Sequence, residues 1–374
     1  MVGFLAFTVF AAVIVVGLYQ RGQLRQRVEE AAQTLGLRQR TGKYFQRDWL
    51  EGDYHGVPAE VRYTTRSQGK SQVAYTVIRV GGVPEGMTFR KEHLGGSFVR
   101  RLTGAEDVAT GDPIFDADVI VAGSPVLLSA NLDVDARSGV RALLARGAVI
   151  EGGAVEVHMR GHITEAASLA QLLDPAADVA VMLGRADALT ARLRAQAESD
   201  PIPGVRMTAL RVLMGHDAPA AAAAATALLD DFDPCVKVQA RLILHDDEGV
   251  AAVPVEWLRA YAPTDAEALS RALMRANAED ALVGLLLVER ADVRIAACKA
   301  LARVGTVRAV APLKALDGGF FGSEEVRNAS NGAVAAIQSR MGDVGAGRVS
   351  VAVEGGQVSV AQVAGQVSVA KVGG

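Results

Sequence analysis

The sequence predicts an α+β protein, and three observations carry that prediction. An uncharged stretch, "VGFLAFTVFAAVIVVGLY", lies at the start. Short segments that alternate apolar and polar residues follow, punctuated by glycine. The second half then carries a helical motif that recurs about every thirty residues. Taken together, the pattern predicts a transmembrane anchor at 1–20, a basic juxtamembrane helix at 21–44 and an α+β domain at 45–160. A helical connector at 161–199, helical repeats at 200–342 and a nonapeptide-repeat tail at 343–374 complete it.

The anchor is read from what surrounds it. No charge falls between Val2 and Tyr19, and a helix of that length spans roughly 27 Å at 1.5 Å per residue, close to the hydrocarbon thickness of about 30 Å. A cleaved leader carries a basic residue before the apolar run and a small-x-small site after it. This run has neither, since "GLYQRG" is a poor cleavage site. Arg21, Arg25, Arg27, Arg38, Arg40, Lys43 and Arg47 follow, against only Glu29 and Glu30. Basic residues stay on the cytoplasmic side, which predicts a single-pass protein of a bacterial inner membrane, with its N-terminus out and its body in the cytoplasm. The same residues can also rest against anionic lipid headgroups.

"LRQRVEEAAQTLGL" has helical spacing at Leu24, Val28, Ala31, Ala32 and Leu35, with Gly36 as its stop. "VPAEVRYTT", "QVAYTVIRV", "PIFDADVIV" and "AVIEGGAVEV" are strand candidates, and Gly152-Gly153 reads as a tight hairpin turn. Asp112 and Asp116 read either as a carboxylate pair or, in the plainer reading, as a turn started by Asp112-Pro113 and a solvated residue, Asp116, on a strand edge. "DVDARSGVRALLARG" reads as a short helix closed by Gly147, with Asp135 as its cap. From Thr164 to about Ala197 the pattern is helical, with a break near Pro175. The segment "TGDPIFDADVIVAG", through Gly111, Asp112, Pro113, Phe115, Asp116 and Gly123, resembles a stretch of uncharacterised domains in bacterial membrane-anchored proteins. That resemblance implies no particular chemistry.

Four stretches define the repeats: "VRMTALRVL" at Val205, "VKVQARLIL" at Val236, "VRIAACKAL" at Val293 and "VRNASNGAV" at Val326. "DAEALSRAL" at Asp265 fits the gap between the second and third. A valine, a small or aliphatic residue four positions on and an aliphatic eight on make one helical stripe. Second helices follow in "APAAAAAATALL", "VPVEWLRAYA", "AEDALVGLLLVE" and "RAVAPLKAL". The stretch "VRIAACKALARVGTVRAVAPLKALD" resembles the HEAT-like repeats named after phycobilisome lyases. The resemblance covers roughly residues 200–342 and implies an α-solenoid of about five repeats that binds a protein or peptide partner through its concave face.

The basic residues Arg206, Lys237, Arg294 and Arg327 recur at one position of the motif. They read either as a partner-binding stripe or as a ladder to acidic residues of neighbouring repeats, the latter joining Arg294 to Glu325 or Asp292. No catalytic motif is present: GxSxG, GxxxxGK[ST] and GxGxxG are all missing. There is no His-Glu step of the kind the di-iron repeat hydroxylases carry. His158 and His162 flank Gly161 with no third ligand in view, and "HDDEG" reads as a solvated loop. Neither a metal nor a cofactor is expected. Cys235 and Cys298 form no disulfide framework and read as buried core residues. The net charge of −3 and a pI near 6.1 give no basic face, which points away from nucleic acid. The reading is therefore a membrane-tethered scaffold or interaction module. Its alternative is a lyase-like enzyme with a site at the junction of the α+β domain and the repeats. In the tail, Gly347, Gly356 and Gly365 each open G-[R/Q]-V-S-V-A. It reads either as strands that add to a sheet edge or as low-complexity chain without a partner.

Overall fold

The structure, a computed structural model, describes residues 23, 25–41, 48–68, 71–92, 108–316 and 323–343. The predicted anchor at 1–20 lies outside the described residues, as does the tail beyond 343. Two compact units, Met1–Ala224 and Ala225–Gly374, divide the chain.

The first unit is built on an eight-stranded antiparallel sheet. Its strands are β1 (Arg38–Arg40), β2 (Trp49–Tyr54), β3 (Val57–Gln68), β4 (Ser71–Gly81), β5 (Thr88–Lys91), β6 (Val119–Ala122), β7 (Val149–Glu151) and β8 (Ala154–Arg160). They lie in the order β1-β2-β3-β4-β8-β7-β5-β6. Two tight hairpins set the register. His55-Gly56 joins β2 to β3 with both φ angles positive, and Gly152-Gly153 joins β7 to β8 in the same way, as two-residue hairpin turns require. Alternation then sorts the faces. Val61, Ile78, Val80, Phe89, Val121 and Val155 turn inward and are buried. Pairs such as Arg40–Glu51, Arg62–Glu60, Arg79–Glu156 and Arg90–Glu151 cover the other face.

Helices cover the apolar face. Residues 25–35 form α1, which buries Val28, Ala31 and Ala32. Next come α2 (Pro113–Asp118), α3 (Pro125–Asn131), α4 (Val134–Ala145) and α5 (Ala166–Leu183). Helix α5 lies across β3, β4 and β8 and buries Leu169, Leu173, Ala176, Ala180 and Leu183. By length and composition α5 is the one candidate membrane span among the described residues. Its buried side nevertheless belongs to this core. Helices α6 (Leu189–Ser199), α7 (Pro203–His216) and α8 (Ala218–Ala227) follow, and α3 packs on both α6 and α7.

Several local expectations are corrected. Residues 38–40 are strand β1, so the juxtamembrane helix ends at residue 35, where Gly36 takes φ +69°. The sheet body therefore begins before residue 45, and α5 carries it past residue 160. "PIFDADVIV" splits into helix α2 and strand β6, because Asp112 caps the helix through Ile114 N and Phe115 N, with Pro113 in the first turn. Asp116 is not a solvated edge residue: its carboxylate accepts from Thr110 N, Thr110 Oγ1 and Gly111 N. Asp133, not Asp135, caps α4. Helix α5 runs straight through Pro175 and stops at Gly184. The burial of Leu173, Ala176 and Ala177 around the proline outweighs its missing N–H. The helix that starts the predicted repeats, α7, belongs to the first unit, so the division falls inside 200–342.

One buried cluster ties these pieces together. Arg137 on α4, 3% exposed, donates from Nε to Asp112 Oδ2 (3.0 Å) and from Nη1 and Nη2 to the Asp200 carboxylate (3.0 and 3.2 Å). Its Nη1 also reaches the Leu132 carbonyl (2.7 Å). Asp200 ends α6 and accepts from Ile202 N, while Arg206 on α7 donates to the Asp200 carbonyl (2.7 Å). Beside the cluster the backbones touch: a Cβ built on Gly111 or on Gly204 would sit 2.2 Å from the carbonyl oxygen of the other.

The second unit is helical throughout its described residues. A 3₁₀ turn (Leu228–Asp230) leads into α9 (Pro234–Ile243), α10 (Asp247–Ala251), α11 (Val255–Tyr261) and α12 (Ala266–Arg275). Helices α13 (Glu279–Leu285), α14 (Ala291–Val304), α15 (Val307–Ala315) and α16 (Glu324–Asp343) complete it. Neighbours run in two rows. Helices α9, α12, α14 and α16 contact in series, and so do α11, α13 and α15. Asp233, Asp246, Asp265 and Thr306 cap the starts of α9, α10, α12 and α15.

Removing Arg137 leaves two carboxylates buried without their cation, so Arg137→Ala is expected to cost about 3–5 kcal/mol of stability. Arg90→Ala on the charged sheet face, with both partners largely in water, is expected to cost about 0–1 kcal/mol. Urea unfolding of the two variants measures the contrast.

Candidate functional site

An open groove of about 720 Å³ crosses α11, α13 and α15 in the second unit. Its apolar lining includes Val255, Val283, Leu286, Leu287 and Ala315. Leu287 is 68% exposed, a large aliphatic side chain left in water at the rim. Gly284 sets how closely α13 approaches α11: a Cβ there would stand 2.4 Å from Val255 Cγ2.

Two arginines flank the apolar strip. Arg259 donates from Nε to the Gly284 carbonyl (2.9 Å), and Arg294 donates from Nε to the Leu286 carbonyl (3.1 Å). Both therefore satisfy carbonyls at the C-terminal end of α13, where positive charge is favoured. Neither forms an ion pair among the described residues. Asp280 is the acidic residue of the lining.

The basic residues of the sequence motif that lie in the second unit, Lys237, Arg294 and Arg327, do not share one site. Arg206 is buried in the first unit, 2% exposed. Lys237 on α9 sits over the Trp257 ring of α11, 5.6 Å from its centroid. Arg327 is exposed on α16. Only Arg294 lines the groove. The ladder from Arg294 to an acid is corrected as well: Asp292 pairs with Arg290 (2.5 Å), and Arg294 turns to a backbone carbonyl.

Ties between successive helix pairs do exist, at other positions. Asp247 holds Arg275 through two bonds of 2.6 and 2.7 Å, which lowers the Asp247 pKa. Arg290 donates to the Pro263 carbonyl (2.8 Å), and Glu279 accepts from Thr306 N and Oγ1 (2.8 and 2.9 Å). "HDDEG" is thus structured: Asp246 caps α10 and Asp247 makes the cross-link. Arg259, the second cation of the groove, was missed in the sequence because it lies in a second helix, outside the recurring motif.

His158 contacts Glu156 (2.5 Å) and Arg66 (3.2 Å), while His162 meets the Tyr63 ring edge-on. Burial and a hydrogen bond to Asp174 push the Tyr54 hydroxyl up to about 12. A cavity of about 10 Å³ beside Gln196 in the first unit has room for one water. No group of three or more metal-ligating side chains occurs among the described residues.

Comparison with protein-family models, with curated proteins and with solved structures gives no match to this chain.

Burial pushes the Cys298 thiol up to about 11 and raises that of Cys235, aided by Asp233. Neither is a ready thiolate at neutral pH. Iodoacetamide is therefore expected to leave Cys298 unlabelled in the native protein and to label it once urea unfolds the chain, as read by mass spectrometry.

Proposed function

We propose that this protein is a membrane-tethered recognition module whose second unit holds an acidic, amphipathic segment of a protein partner. The observation that carries the reading is the groove over α11, α13 and α15. It offers an apolar strip, an exposed Leu287 and two cations already oriented by helix-end carbonyls. A helix laid in such a groove presents apolar anchors at i, i+3 or i+4, and i+7, and carboxylates beside them meet Arg259 and Arg294 bidentately. The two-row order of the helices, with cross-links about one motif length apart, supports an α-solenoid of HEAT-like character. Its concave binding surface is the usual use of that architecture.

Tethering rests on the uncharged run at 2–19 and the basic residues after it. The body then faces the cytoplasm, and holding it at the membrane raises its effective concentration toward a partner there. Protease added to intact spheroplasts is expected to spare the body and to cut it after lysis. Cutting before lysis would reverse the orientation.

Binding is tested by fluorescence anisotropy of the full chain against amphipathic peptides with apolar residues at helical spacing. One set carries Glu at the flanking positions and the other carries Lys. The acidic set is expected to bind, and Arg294→Ala or Leu287→Glu to weaken it by roughly tenfold or more. Equal binding of both sets, or no effect of either substitution, refutes the groove reading.

A further inference from the structure

On the other row of the second unit, a recess of about 260 Å³ opens between α12 and α14. Its lining carries more charged residues for its size than that of the groove. Ser270 is 3% exposed, lines this recess, and its hydroxyl has no partner among the described residues. A buried hydroxyl left without a hydrogen bond is destabilising, so native structures rarely keep one without reason. The recess exists because α14 presents Ala296 and Ala300 opposite it, two short side chains one turn apart. Lys299 and Arg303, also one turn apart on α14, stand at its rim, with Arg271 on α12. None of these three cations forms an ion pair among the described residues. Glu267 is the acidic residue of the lining.

We propose that this recess binds a phosphate monoester. Three cations against one carboxylate leave two net positive charges around a buried hydroxyl. A phosphate monoester at neutral pH carries about −1.5 to −2 and offers three acceptor oxygens. Ser270 Oγ donates to one oxygen at the floor, while Arg303 and Arg271 supply planar donor forks at the rim. Lys299 adds a point charge. The proposal is independent of the peptide groove, because the two recesses are lined by different residues.

The test is calorimetric titration of the full chain with inorganic phosphate and with glycerol 3-phosphate, alongside flotation with vesicles containing phosphatidate or, as a diester control, phosphatidylglycerol. Saturable binding is expected, weakened roughly tenfold or more by Ser270→Ala and by Arg303→Gln, since hydrogen bonds to charged groups are the strong ones. Arg308→Gln, an equal change of charge on α15 away from the recess, is expected to bind as the parent does. Thermal melts check that each variant folds. Binding of the two soluble phosphates assigns the ligand to a free metabolite. Binding confined to phosphatidate vesicles, with the same dependence on Ser270 and Arg303, assigns it to a lipid headgroup. Absence of binding in every arm overturns the site. So does equal weakening by Arg308→Gln, or no weakening by Ser270→Ala and Arg303→Gln.

Discussion

Arg137 is the constraint on which the first unit depends. One guanidinium, out of water, joins the start of α2, the end of α3, the first turn of α4 and the turn between α6 and α7. Every donor direction it uses is answered by a carboxylate or a carbonyl. Such a cluster adds little net stability over an apolar replacement, because desolvating the charges offsets their attraction. Its effect is on specificity. An arrangement of these helices that moved either carboxylate or the carbonyl would leave part of this guanidinium unpaired and buried. The touching backbones at Gly111 and Gly204 have the same consequence, since they fix the approach of α7 without any side chain between.

The second unit is held differently. Its helices are short, and the links between pairs are individually modest: Tyr261 to Gln239, Ser330 to the Leu313 carbonyl, Arg275 to Asp247. Each link spans neighbouring helices only. The first unit, by contrast, couples distant segments through its sheet and its buried arginine. The two rows also present different surfaces. One leaves an apolar groove with fixed arginines, and the other a smaller recess above two alanines with cations at its rim.

Much of this was legible in the sequence where the signal is local. The Gly152-Gly153 hairpin, the strands at 57–68 and 71–81, and the paired helices of the second half all follow from alternation, turn chemistry and period. The misreadings share a cause. "PIFDADVIV" alternates like a strand, but the Asp112 cap and Pro113 start a helix before the alternation can act. Pro175 reads as a breaker, yet the buried residues around it hold α5 together. Arg137 was invisible for a related reason. In "DVDARSGVRALLARG" it looks like any solvated helix arginine, because its partners lie 25 and 63 positions away. The site was half legible. Arg294 belongs to the recurring motif, while Arg259, Leu287 and Ser270 become conspicuous only through their exposure or their missing partners.

Gly284 has a consequence for how this surface could diverge among related chains. Its bare backbone lets Val255 seat directly against α13, and the carbonyl it exposes is the one that orients Arg259. Bulk at 284 and bulk at 255 are therefore exchangeable quantities. A larger residue at one, matched by a smaller one at the other, would regrade the width of the cleft while its cations stay in place. Ligand size and ligand charge would then be free to drift separately.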